Sequence, residues 1–577
     1  MANKIQVKRG LKASLPTLSI GEYGFCTDTK ELYIGSSTGN VKIAISTDLD
    51  SKINTSNIVN DLTTGGTAKV LSAEQGKVLD GKIGLINDKP MVSSTLTIVD
   101  DFKRNPLIEP ITLNPDVCEN YNAVSYGTPF ATLVNDMVHI NANINLKSTT
   151  SGRIGTIPSW LLPIRPNLCP TTAFSSDFLQ TSATAYAIWN NNVAEVPYGE
   201  IRLEVGCIGG KSKFIGINHA YRAPFDDLNG DYDFTSKLNT VLERKATLGN
   251  NIPITILLGC DTHWSIPTGS ETLISRQVRG FNWLSSKIGS NFNLILGDYM
   301  SEWDGLTAQG LPAMKKKWEA FRYMLKENTL LLKGNHDDAS QVGLFDTTKV
   351  ISTERMWDWS MEGKSSLNTN YLEPKNFYYY VDDYPSRTRH IMLNTIDIPY
   401  NTSGSNLYKG FDTFVVRQKQ LTWLSDVALK VPTGWDVAVY SHHSFYEGIT
   451  PTDVEVVNRE VVKKILSDFV NGANSTTTGT NSTFPCTVTT SFASQGARKL
   501  IGCFFGHHHK DLIQKEGVIN HVGIASMRPS NSDMTAPWNR VETGADSFCA
   551  DCLQIDVVNK KVYLTRFGFN ADRTFNY

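Results

Sequence analysis

The sequence predicts a multidomain chain: a small β module, a short helical neck, a β-sandwich, and then an α/β domain of strands alternating with helices. Three observations lead there. The length, 577 residues, exceeds what one hydrophobic core ordinarily serves. The hydrophobic periodicity changes near residues 47, 96 and 224. Beyond residue 224, five short apolar runs each end in a cluster drawn from Asp, Asn and His.

Residues 1–46 make the first module. Ser19-Ile20-Gly21-Glu22-Tyr23-Gly24-Phe25 and Glu31-Leu32-Tyr33-Ile34-Gly35 are short strands punctuated by glycine turns. In residues 47–95 the pattern becomes a helical stripe, with Leu71, Val78, Leu79, Ile83 and Ile86 on one face. Ser72, with Gln75 three residues on, has the form of a helix N-cap. A stripe this short cannot bury itself, so it is either a linker helix or a neck that pairs with copies of itself. Residues 96–223 are strand-rich. The alternation over 131–134, the turn Asn135-Asp136 and the alternation over 137–144 read as a hairpin. Further strands over 201–205 and 213–217 fit a β-sandwich.

From 224 to 577, strands alternate with helices. Residues 314–325 and 417–429 are amphipathic helices, and 552–558 with 561–565 form a closing hairpin. Residues 471–494, rich in Asn, Ser, Thr and Gly, are expected to be a polar loop. The run 254–258 leads into Asp261-Thr262-His263, and 294–296 into Gly297-Asp298. The run 330–332 leads into Gly334-Asn335-His336-Asp337, 437–440 into His442-His443, and 500–505 into Gly506-His507-His508-His509. In open α/β sheets, ligands bind beyond the carboxyl ends of the strands. Five strand ends therefore deliver carboxylates, an amide and imidazoles to one place. Such donors suit divalent ions like Mn, Fe or Zn rather than a soft thiolate site, and are the parts of a two-metal hydrolytic centre.

Composition removes other classes. Hydrophobic content of 40% and charged content of 19% fit folded domains, not disorder. A net charge of −2 supplies no basic field, so no general nucleic-acid binding is expected. Lys315-Lys316-Lys317 reads as the solvated face of a helix. No apolar run reaches ~18 residues, so no membrane span is expected. Met1 to Gln6 has a lysine but no apolar stretch behind it, so synthesis in a cytoplasm without a signal-peptide route is expected. Nine scattered cysteines do not form a disulfide framework. Cys549-x-x-Cys552 lacks a second pair and reads as structural, and Cys260 reads as packing rather than a nucleophile.

The five motifs, in this order and at strand ends, resemble the calcineurin-like metallophosphoesterase family from Ile254 to the C-terminal hairpin. The resemblance implies a two-sheet β-sandwich flanked by helices and a centre with two divalent metal ions. It assigns Asp261, His263 and His509 to one ion, Asn335, His442 and His507 to the other, and Asp298 to the bridge between them. It gives His336 a phosphate contact or protonation of the leaving group, and Asp337 the orientation of that ring. His508, Trp264, Tyr299 and Trp303 lie beside motif residues and are candidates for the substrate wall, with rim packing as the alternative. His443 either supports a ligand or packs.

The N-terminal half carries a second resemblance. Gln6-Val7-Lys8-Arg9-Gly10, residues 21–25, Thr27-Asp28-Thr29 and residues 32–35 resemble the N-terminal module of phage tail fibre and baseplate proteins. Residues 62–79 are similar to a connector associated with trimeric assembly in tail proteins. Residues 126–130, 154–158 and 162–166 are similar to a β-sandwich of some tail proteins, which either binds glycan or packs within the assembly. Together these imply a virion protein of the tail or baseplate, made in the host cytoplasm. It would be homotrimeric and joined to other tail proteins through its N-terminal region. The joint expectation is a phosphodiesterase, more than a monoesterase, acting on a host envelope phosphopolymer such as teichoic acid. The alternatives are a receptor-binding protein that binds envelope phosphate without essential catalysis, and a nuclease or nucleotide phosphodiesterase.

Overall fold

The computed structural model describes residues 7–43, 232–248, 255–265, 270–301, 304–361, 375–449, 455–528 and 545–577, with separate strands between 58 and 222 and at Asn368–Thr369. The chain forms two compact units, Met1–Asp88 and Lys89–Tyr577.

In the first unit, Val7–Gly10, Tyr23–Cys26, Leu32–Ser36 and Gly39–Ile43 lie side by side in chain order. The first pair is parallel and the other pairings are antiparallel. Val70–Leu71 pairs in parallel with Ile58–Val59, so Leu71 belongs to a strand rather than to the helical stripe. The rest of that stripe, residues 72–86, lies outside the described residues.

In the second unit, the strands between 107 and 222 form one nine-stranded sheet whose two edges are consecutive in the chain. Leu107–Pro110 pairs with Phe130–Val134 at one edge, and Thr112–Leu113 with Gly152–Thr156 at the other. Only Ile111 separates these edge strands, so one short segment serves both edges and rolls the sheet closed. Phe130–Val134 and Met137–Asn145 form the expected hairpin. Ala131, Leu133, Val138, Ile140, Ala142 and Ile144 alternate inward and are buried.

From 255 onward two sheets share a core. The first runs Thr329–Leu331, Phe292–Ile295, Thr255–Gly259, Cys549–Asp556, Lys561–Gly568, Arg573–Asn576. Its first three strands are parallel, and the C-terminal strands join antiparallel. The second runs Asn368–Thr369, Tyr379–Asp383, Thr388–Leu393, Asp436–Ser441, Lys499–Phe505, Ile519–Gly523, Leu512–Glu516, parallel through its centre. Alternation sorts its residues into two cores. Ala438, Tyr440, Ile501 and Phe504 join Ile256, Leu258, Leu294 and Leu553 between the sheets. Val437, Val439, Leu500 and Cys503 pack with Leu421, Leu424, Val462, Ile465 and Phe469 of the outer helices. Burial on both faces is why these strands read as unbroken apolar runs.

The two expected helices are Leu311–Met324 and Gln418–Trp423, the latter continuing into a π-helical turn over Leu424–Ala428. Residues 471–494 are not a polar loop: Asn474–Thr478 and Thr487–Ser491 form an antiparallel hairpin. Hydroxyl pairs link Thr476 to Thr489 at 2.9 Å and Thr478 to Thr487 at 3.0 Å. Threonine's β-branch and these cross-strand pairs favour a strand despite the polar composition. Among the described residues, no helix is long and apolar enough to cross a membrane.

Candidate metal centre

The five motifs leave their strands through unusual backbone. Asp261, His263, Asp298, His507 and His509 have φ of 53°, 45°, 54°, 63° and 56°. Left-handed backbone costs a non-glycine residue about 1–2 kcal/mol, so the surroundings must hold it. Backbone bonds from Asp261 N–H to Gly297 O and from His263 N–H to Asp298 O, both 3.0 Å, lock the first two loops together. Two glycines permit closer contact. A Cβ on Gly334 would overlap the amide nitrogen and Oδ1 of Asp298, and one on Gly297 (φ 101°) would lie 2.6 Å from His442 Nδ1.

Asp298 sits in the middle. Its Oδ1 accepts the His336 backbone N–H at 2.9 Å. Its Oδ2 is left 3.7 Å from His263 Nε2 and 3.2 Å from His442 Nε2. On one side, Asp261 Oδ1 is 3.9 Å from His263 Nε2 and 3.5 Å from His509 Nε2, and those two nitrogens are 3.0 Å apart. On the other side, Asn335 Oδ1 is 3.0 Å from both His442 Nε2 and His507 Nδ1. Asp261, His263 and His509 therefore gather on one flank of Asp298, and Asn335, His442 and His507 on the other.

His442 Nδ1 is 2.7 Å from Leu296 O, which places one ring proton on Nδ1 and turns Nε2 toward Asn335 Oδ1 and Asp298 Oδ2. Positive charge between Nε2 and these two oxygens reconciles them. Burial lowers the His442 pKa, but Asp298 overrides it and lifts the ring to about 9, so without an ion that charge is the ring's second proton. Burial would raise Asp298, yet His442, His336 and His263 hold it well below the usual carboxylate range. Asp261 is held to about 2 by His509 and His442 against the effect of burial. Burial keeps His263 well below its ordinary value and His507 at about 3. Asp261, Asp298, His263 and His507 are thus in the ionised-carboxylate and neutral-imidazole forms a divalent ion requires, and an ion at His442 would take the place of its Nε2 proton. The His/Asp cluster thus fits divalent metal binding, and its oxygen and nitrogen donors suit Mn, Fe or Zn.

Comparison with known proteins adds two findings. Residues 5–36 match the family described as Major tropism determinant N-terminal domain, and residues 58–89 match Phage tail fiber repeats. No curated protein matches the chain. Among solved structures, it is similar to a dimetal phosphatase from Danio rerio, at 11% identity and TM-score 0.39, over 56% of this chain and 99% of that one. It is similar to a predicted phosphoesterase from Streptococcus pneumoniae, at 10% identity and TM-score 0.20, over 56% and 98%. It is also similar to the anchor protein of the inner membrane complex of Plasmodium, at 13% identity and TM-score 0.29, over 56% and 88%.

Several neighbours of the motifs stand elsewhere than expected. Asp337 Oδ1 accepts the N–H groups of Tyr299 at 2.7 Å and Met300 at 3.2 Å. Its Oδ2 accepts those of Gly334 at 2.7 Å and Asp298 at 3.0 Å. Four donors fill a carboxylate's lone-pair sites, so Asp337 braces the Asp298 loop instead of orienting the His336 ring. Trp264 and Tyr299 are core residues, 1% and 0% exposed, and do not line a substrate wall. Both rings pack on Phe321, and the Tyr299 hydroxyl donates to Leu332 O. The left-handed turns beside them reset side-chain direction, which strand parity cannot anticipate. Trp303 lies outside the described residues. His508 is half-exposed beside His507 and Phe505. His443 is buried, with Nδ1 2.7 Å from Thr395 Oγ1 and its ring stacked on Phe414. The thiol of Cys260 is buried against Ile524 O at 3.2 Å, and burial raises its pKa well above the ordinary value. Cys549 and Cys552 are both buried and form no disulfide with each other. Sequence reasoning missed Phe411, whose ring meets His336 edge-on at 5.1 Å; no motif marks its segment.

Proposed function

We propose that this chain is a phage tail-associated, metal-dependent phosphoesterase that cleaves phosphodiesters of the host envelope, with teichoic acid the leading substrate. The observation that carries the reading is the convergence of Asp261, Asn335 and four imidazoles on the buried carboxylate of Asp298, a donor set that suits a pair of divalent cations. Asp261, His263 and His509 would hold one ion, Asn335, His442 and His507 the other, with Asp298 Oδ2 shared. Two divalent ions so held would activate water as a nucleophile and draw charge from the phosphoryl oxygens. The chain's own groups do the rest. The His336 N–H donates to Asp298 Oδ1 and so fixes the rotation of the carboxylate that both ions would use. The half-buried His336 ring, edge-on to His263 at 4.8 Å, would bind a phosphoryl oxygen or protonate a leaving alkoxide. His508 is a candidate phosphate contact.

The tail-fibre similarity of residues 5–36 and 58–89 supports carriage on a virion. The N-terminal region would attach to other tail proteins, and the fibre-repeat region would join three copies. A particle-borne phosphoesterase meets its substrate at the cell surface. In a Gram-positive host the abundant phosphodiester there is the polyol phosphate backbone of teichoic acid.

The test uses the full-length protein with Mn and then with chelator, on a bis-aryl phosphodiester, an aryl phosphomonoester and purified teichoic acid. Metal-dependent diester cleavage and release of glycerol phosphate or polyol phosphate are expected, both lost in Asp298→Ala. Cleavage of the aryl diester without release from teichoic acid sinks the substrate. Ion uptake without cleavage of any ester sinks the enzyme and favours a phosphate-binding receptor protein.

A further inference from the structure

We infer that Asp511, Arg566, Asp551 and Arg573 form an ionic clamp that positions the His507–His509 loop and thereby sets the centre's affinity for its ions. This rests on the metal-centre reading above. Asp511 ends the loop and precedes the strand Leu512–Glu516. Between Phe505 and Leu512 the chain holds no large apolar side chain, only Gly506, three histidines, Lys510 and Asp511. His507 and His509 are left-handed there. Hydrophobic packing cannot hold such a loop, so polar contacts must.

Those contacts converge on Arg566, whose side chain is fully buried. Its Nη1 donates to Asp511 Oδ2 at 3.0 Å and Phe569 O at 3.0 Å, and lies 3.1 Å from Cys549 Sγ. Its Nη2 donates to Asp511 Oδ1 at 2.6 Å and Asp551 Oδ2 at 2.7 Å, and its Nε to Asp551 Oδ1 at 2.9 Å. All five guanidinium donors are used. Arg573 adds bonds to Asp511 Oδ1 at 2.9 Å and Asp551 Oδ2 at 2.5 Å. Asp511 also accepts from Asn570 Nδ2 at 2.7 Å and the Ala525 N–H at 3.3 Å.

The cluster spans the two sheets. Asp551 and Arg566 pair across the C-terminal hairpin, and Asp551 also lies opposite Leu258, on the strand that delivers Asp261. Asp511 lies on the loop that delivers His507 and His509. The clamp therefore fixes how far the histidines stand from Asp261. A second tie runs directly, from the His507 N–H to the Asp261 carboxylate at 3.1 and 3.2 Å. A buried ion cluster is seldom the most stabilising filling for a core, so placement explains it better than stability does.

Asp511→Asn keeps the volume and removes the charge. Calorimetric titration of the full-length protein with Mn is expected to show affinity reduced about 10–100-fold, as when partners of metal ligands are lost, with cooperative unfolding retained. Arg573→Gln, at the 12% exposed edge of the cluster, is expected to shift affinity the same way by less and guards against misfolding of the first variant. The control is Asp382→Asn. It breaks an ion pair with Arg389 (2.6 Å, side chains 8% and 10% exposed) at the end of the parallel strands away from the motifs. It should lower Tm and leave Mn affinity unchanged. Wild-type Mn affinity in both clamp variants, with Tm lowered as in the control, overturns the positioning role. A wild-type protein that takes up no Mn overturns this inference and the enzyme together. Mn uptake without ester cleavage removes only the enzyme.

Discussion

Replacing Asp337 with asparagine separates two jobs that a motif aspartate can do. In the structure its two oxygens accept four backbone N–H groups, from Tyr299, Met300, Gly334 and Asp298. An amide offers one acceptor oxygen. Whichever way it turns, either the Tyr299/Met300 pair or the Gly334/Asp298 pair meets an NH2 group instead. A buried N–H left without an acceptor costs about 1–3 kcal/mol, so two cost about 2–6 kcal/mol. Part of that returns, because burial and the nearby Asp298 push the Asp337 carboxyl upward in pKa, and the amide removes that buried charge. A net loss of about 2–4 kcal/mol is expected from these opposing contributions. Urea unfolding of chelator-treated protein measures it, and a Mn titration reads the loosening of the Asp298 loop. If Asp337 served mainly to orient His336, the variant would instead keep stability within about 1 kcal/mol. It would also keep full Mn affinity and lose only kcat. That pattern would refute the bracing role.

Three further outcomes follow from the same contacts. Removing bound ions should destabilise the protein by about 2.7 kcal/mol per site that had been held at 100 times its Kd; a Tm indifferent to chelator means the cluster holds no ion. Trp264→Phe should change stability by less than about 1.5 kcal/mol, since it loses contact area but also a buried indole N–H without a hydrogen-bond partner. It should leave KM for phosphoesters unaltered, and a clear KM shift returns the ring to the pocket. Burial lifts Asp383 from 3.8 to about 6 against the Ser386 hydroxyl, so the folded state favours its protonated form. That contribution, up to about 3 kcal/mol, is complete below the unfolded pKa and is lost as pH rises through about 6. Asp383→Asn should therefore stabilise the protein at pH 8 far more than at pH 4, and equal effects at both would contradict the assignment.

The strand ends were legible because doubly buried strands write unbroken apolar runs, and their carboxyl ends are where such folds gather ligands. Thr255–Gly259, Phe292–Ile295, Thr329–Leu331, Asp436–Ser441 and Lys499–Phe505 each sit beneath a motif seen in the sequence. What lay one residue beyond was not legible. Trp264 and Tyr299 follow left-handed residues, and strand parity ceases to indicate direction there. The hairpin over 474–491 was hidden because its threonines carry polar composition and strand preference at once. The clamp was hidden for another reason. Asp511, Asp551 and Arg566 lie far apart in sequence, and isolated charges on alternating strands look like solvated ones until the pairing is known.

The left-handed backbone at Asp261, His263, Asp298, His507 and His509 links these features. At about 1–2 kcal/mol each, five such residues represent about 5–10 kcal/mol, comparable to the whole stability of an ordinary domain. Such a site persists only if its frame is over-determined. The frame is identifiable: four N–H groups on Asp337, the bare Cα of Gly334 against Asp298, the His442 bond to Leu296 O, and the Asp511 clamp on the histidine loop. None of these uses a metal ion as its partner. The donors are therefore set in register by the chain's own hydrogen bonds, and the conformational cost falls on folding rather than on ion uptake. It follows that substitutions in the frame should weaken ion binding through geometry, while substitutions of the donors remove it through chemistry. Titration distinguishes the two: a frame variant still fills at higher Mn, whereas Asp298→Ala does not.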